Sequence, residues 1–210
     1  METSLSSKSF FSADKKLTFF LLLLVTYLVL YIKIIYIENE TAAFEFLADR
    51  PEGGVLQAIA ALRFISVPLI YLWKFTIIGF VVWVGCFMWG YRVTYSQCWG
   101  IVIVSEFIFL VPEIIKIFWF FVIETDPTYD QIRGFYPLSL MSLFEYSEID
   151  TRYAYPLRAL SVFELAYWYL LVSGVHFFAR KEKNVAIYIV LSSYVLLFFF
   201  WLWFYTVVYK

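Results

Sequence analysis

The chain has 210 residues, 63% of them hydrophobic and 23% aromatic, and its mean hydropathy is +0.78. Soluble domains hold roughly 45–50% apolar residues, so the composition excludes a water-soluble fold. The balance of 16 basic against 17 acidic residues, formal net charge −1, leaves no basic surface for nucleic acid.

Residues 1–16 form a polar tail with Lys8, Lys15 and Lys16, predicted to stay in the cytoplasm. Residues 17–210 then read as one transmembrane helical domain, because the apolar runs approach the roughly 20 residues that cross a bilayer. The first span covers 17–37; it is too long for a secretory signal and lacks a small-residue cleavage site. An acidic loop with Pro51, Gly53 and Gly54 ends it, and Asn39-Glu40-Thr41 matches a glycosylation sequon that matters only in a eukaryote.

Apolar positions 55, 56, 59, 62 and 65 predict an interfacial helix, followed by a second span over 66–91 with Pro68 in its first turn. The third span, 98–122, contains Pro112, where a kink is expected. A long connection follows, whose stretch from Tyr136 to Tyr146 is amphipathic enough to lie on the membrane surface. Spans four and five cover 157–179 and 185–208. The reading is an all-α bundle of about five transmembrane helices. A cytoplasmic N-terminus and an outside C-terminus put Arg92, Arg180, Lys181 and Lys183 inside and the acidic loops outside, as the positive-inside rule requires.

Ionisable groups at membrane depth mark candidate sites, because each costs about 2.5–3.5 kcal/mol on insertion scales unless paired or hydrated. Lys74, Glu113, Lys116 and Glu164 form an expected charged layer: a rise of 1.5 Å per residue puts Lys74, Glu113 and Glu164 at about the same height. Lys74 is expected to pair with Glu113 or Glu164, and Lys116, three residues from Glu113, can join. Such pairs hold helices together in the first reading and line a substrate or ion pathway in the second. Glu106 and His176 are candidate proton or polar sites; Glu106 has no cationic neighbour in sequence, so a protonated state or a hydrogen bond to Ser or Thr is expected. Arg63, Arg152 and Arg158 read as anchors for lipid headgroups.

No catalytic residue, metal site or cofactor is expected. The lone His176 and the cysteines Cys86 and Cys98 offer no ligand set, and the two thiols read as packing residues. There is no phosphate-cradling glycine loop, Gly-x-Ser-x-Gly elbow or zinc-protease helix.

Pro137-Leu138-Ser139-Leu140 leading to Leu143-Phe144, then Phe163-Glu164-Leu165 with Tyr167-Trp168 and Gly174, and the link Tyr95-Ser96-Gln97 form a pattern that resembles the Yip1 domain family, in its bacterial branch. The chain lacks the Asp-Leu-Tyr-Gly-Pro signature of the trafficking members. The resemblance implies a multi-pass protein of the bacterial inner membrane, or an endomembrane if eukaryotic. It also implies no enzymatic activity and a role assisting a transporter or another membrane assembly. The expected function is therefore a non-enzymatic interaction or accessory subunit, whose partners are membrane lipids and another integral membrane protein or itself. The alternative is a small transporter or permease subunit that uses the charged layer.

Overall fold

A computed structural model of the chain describes residues 11–38, 53–124, 127–180 and 182–209. Lys8, the sequon, the acidic loop over 39–52 and Lys181 lie outside them. The described residues are helical throughout, apart from turns and one isolated β-bridge. The helices are α1 (Lys15–Lys33, continued by a π-turn, Ile34–Glu38), α2 (Gly53–Met88), α3 (Tyr95–Glu106), α4 (Leu110–Val122), α5 (Tyr129–Gly134), α6 (Thr151–Ala159), α7 (Val162–Ala179), α8 (Lys183–Val190) and α9 (Leu196–Val208). A π-turn, Leu191–Val195, joins α8 to α9. Among the described residues, four helical stretches are long and apolar enough to cross a membrane: Lys15–Ile37, Ala61–Met88, Val162–Ala179 and Lys183–Val208.

Several boundaries depart from the sequence reading, each for a local reason. α1 begins at Lys15, because the Asp14 carboxylate accepts from the backbone N–H groups of Lys16 (2.8 Å) and Leu17 (3.3 Å) as an N-cap. The expected interfacial helix and second span form one helix of 36 residues, α2, with Pro68 inside it. Proline has no N–H to give the carbonyl four residues back, here that of Phe64. The Tyr27 hydroxyl donates to that oxygen instead, at 3.0 Å, so the backbone gap is filled from α1.

The expected third span is two helices, α3 and α4, separated by a 3-10 turn, Phe107–Phe109. The irregularity precedes Pro112, because the ring crowds the carbonyl of Ile108 and leaves it without its helical donor. Residues 157–159 belong to α6; the next apolar helix starts at Val162. The break between them is pinned by Leu140 N–H to the Leu160 carbonyl (2.9 Å) and Val162 N–H to the Leu138 carbonyl (3.0 Å).

By packing, the chain divides into two compact units: residues 1–22, 71–108 and 163–210 form the first, and 23–70 with 109–162 the second. In the first unit, small residues allow close helix approach. A Cβ on Gly85 would stand 2.7 Å from the Ser193 Cβ, and one on Gly174 would collide with Ile101. Lys15 donates to the Ser96 hydroxyl and lies along Gly100, tying the start of α1 to α3. The same end of α3 is held by a capping box, in which Thr94 and Gln97 exchange hydrogen bonds.

In the second unit, Ile37, Phe120 and Ile132 form a buried cluster flanked by Ile117, Trp119 and Phe135. Thr128 and Gln131 build a second capping box at the start of α5.

Candidate functional site

The first unit brings three ionisable side chains, Lys74, Glu106 and Glu164, together. Lys74 on α2 forms an ion pair with Glu106, the last residue of α3, at 2.6 Å from Nζ to Oε1. Glu106 is 3% exposed, and its Oε2 is buried without a hydrogen-bond partner. Glu164, in the first turn of α7, is 5% exposed, and its Oε1 accepts from Trp168 Nε1 (2.8 Å) and the Tyr194 hydroxyl (2.9 Å). It also lies within the electrostatic reach of Lys74 and Glu106. The Lys74 ammonium stands 6.0 Å from the centre of the Tyr167 ring, and Tyr167 packs edge-on against Tyr194 at 5.4 Å.

Local sequence explains each placement. Trp168 is one helical turn beyond Glu164, so the indole reaches back along the same face. Tyr194 sits in the π-turn, whose wider coil shifts the register of the residues that follow. Within that turn, the Ser193 hydroxyl bonds back to the Ile189 carbonyl (2.6 Å).

Of the partners expected for Lys74, Glu113 is corrected here, since it pairs with Lys33, while Glu164 lies within electrostatic reach of the ammonium; the carboxylate hydrogen-bonded to Lys74 is Glu106. Measured from the ends of α2 and α3 that the short link joins, Lys74 stands about 21 Å along its helix and Glu106 about 17 Å. The flexible lysine stem covers the difference. Glu106 therefore has the cationic neighbour that sequence spacing did not reveal.

The remaining candidates lie elsewhere. In the second unit Glu113 pairs with Lys33 at 3.0 Å. Lys116, 4% exposed, donates to the carbonyls of Ile132 and Phe135, a cation placed at the C-terminal end of α5. The Tyr136 ring has the Lys116 ammonium 5.3 Å and the Arg158 guanidinium 4.6 Å from its centre. His176 is exposed in the last turn of α7. Cys86 and Cys98 are fully buried free thiols.

The sequence reading missed four contributors. Lys33 is the basic residue in the last turn of α1, where a cation suits the helix dipole, so it carried no signal of pairing. Tyr167, Trp168 and Tyr194 were hidden among the chain's many aromatics, although the four-residue spacing of Glu164 and Trp168 was available as a signal.

The second unit also has an open groove of about 800 Å³, lined by Tyr27, Tyr31, Tyr36, Phe64 and Phe121 among others. Its lining is apolar apart from tyrosine hydroxyls.

No family model, curated protein or solved structure matches this chain.

Proposed function

We propose that this chain is a non-enzymatic, multi-pass membrane protein that acts by binding another integral membrane protein, as an accessory subunit of a membrane assembly. The observation that carries the reading is where the charges go. Glu113 is held by Lys33, Glu106 by Lys74, and Glu164 by Trp168 and Tyr194. Side chains that satisfy one another within a unit hold helices together. The surface left for contact is apolar and aromatic, with Trp73, Phe87, Trp203 and Phe118 among the most exposed large side chains. Helices associate in lipid by such packing.

In this proposal α3 and α4 together make a fifth, broken crossing. The basic N-terminus faces the cytoplasm, the C-terminus lies outside, and the membrane is the inner membrane of a bacterium. The likeness to the Yip1 domain family rests on the loop and helix residues named above and points the same way.

Mass spectrometry of the tagged, full-length protein purified in mild detergent tests this. The expected result is a second integral membrane protein in fixed stoichiometry through size exclusion. If the protein is instead alone or self-associated, and Lys74→Gln stops solute uptake into reconstituted vesicles while the fold survives, the small-transporter reading replaces it.

A further inference from the structure

We propose that the buried carboxyls of Glu106 and Glu164 hold one exchangeable proton between them, beside Lys74, so that the first unit contains a proton-binding site. The argument is one of charge and satisfied valence. Two carboxyl groups and one ammonium meet in apolar surroundings, and the other titratable groups facing Glu106 are the phenols of Tyr167 and Tyr194. With both carboxyls ionised the cluster carries one uncompensated negative charge, which an apolar interior disfavours strongly. One bound proton makes it neutral.

Geometry restricts where that proton can sit. Glu164 Oε1 already accepts two hydrogen bonds, and a carboxylate is an acceptor, so protonating that oxygen would cost it those contacts. Glu106 Oε1 accepts from Lys74, whereas Glu106 Oε2 is buried with no donor to meet it. A bare carboxylate oxygen there is an unsatisfied acceptor; a protonated one is half of a neutral acid. The Lys74 side chain is 34% exposed against 4% for Glu106, so the cluster opens outward along the lysine. This site is independent of whether the chain has a protein partner.

The test uses a hydrophobic carbodiimide, dicyclohexylcarbodiimide. A protonated carboxyl adds across its C=N bond, with the proton passing to nitrogen and the oxygen to carbon. The full-length protein in lipid vesicles is treated across a pH series, digested and mapped by mass spectrometry. The expected adduct is on Glu106 or Glu164, at most one per chain. It falls at least about tenfold over one unit or more of alkaline pH, and sodium at constant pH leaves it unchanged. Glu106→Gln should lose the label at neutral pH, because Lys74 then balances the one carboxylate left. Size exclusion checks that this variant is folded, and the wild-type map decides the matter by itself if it is not. Absence of an adduct on both Glu106 and Glu164 at every pH, in a sample whose more exposed Glu113 is labelled, overturns the proposal. So does protection by sodium at constant pH, which would put a metal cation where the proton is assigned.

Discussion

Lys74 and Glu106 meet because a lysine stem is long and flexible, and that makes the pair testable by exchange. Removing one partner of a buried pair leaves the other uncompensated, which typically costs about 3–5 kcal/mol. Lys74→Glu and Glu106→Lys should therefore each lower the unfolding midpoint in detergent, and the double exchange should recover at least about 1 kcal/mol relative to the sum of the two. If the double variant is as unstable as the two losses added together, the pair does not hold α2 to α3. The chemistry of this residue set was legible in sequence: Lys74, Glu106 and Glu164 stood out as ionisable groups in apolar runs. Their partners were not, because an even rise along straight helices ignores the 3-10 turn at Phe107–Phe109. Nor does anything in a sequence with 17 tyrosines and 24 phenylalanines single out Tyr194 as the residue that reaches Glu164.

At the scale of elements, apolar run length foretold where helices form, and local chemistry decided where they break. Prolines show the difference. Pro112 sits just after a break, whereas Pro68 sits inside an unbroken α2, because the Tyr27 hydroxyl takes over the missing donor for Phe64. No reading of α2 alone could find a donor that comes from another helix. Tyr27→Phe should cost about 1 kcal/mol, the scale of a single hydrogen bond. In a Pro68→Ala background the same change should be nearly neutral, since the alanine N–H can then reach Phe64. Chemical denaturation of the four proteins in detergent checks this; an equal loss from Tyr27→Phe in both backgrounds would mean that the hydroxyl matters for some other reason.

For the whole molecule, the class of fold followed from composition, because a chain this apolar can satisfy its backbone in lipid only through helices or a closed barrel. The number of crossings did not follow, because α3 and α4 are each too short to span alone, with 12 and 13 residues. Five crossings require the termini to face opposite sides. In a Cys86→Ala, Cys98→Ala background, a cysteine introduced by Ser7→Cys should be shielded in intact cells from a membrane-impermeant maleimide, and one introduced by Lys210→Cys should react. Reaction of both, or of neither, would leave an even number of crossings and set aside the five-crossing arrangement.

The π-turn at Leu191–Val195 also has a meaning for descent. A wide turn of this kind is an α-helix that has accepted one extra residue. A related gene one codon shorter at this point would encode a plain helix, rotated by about 100° from there to the C-terminus. Such a sequence would align with this one through a single-position gap, and could keep every tyrosine yet present none of them to Glu164. When related chains are compared, the length of this segment is thus a better marker of the shared cluster than the identity of the residues within it.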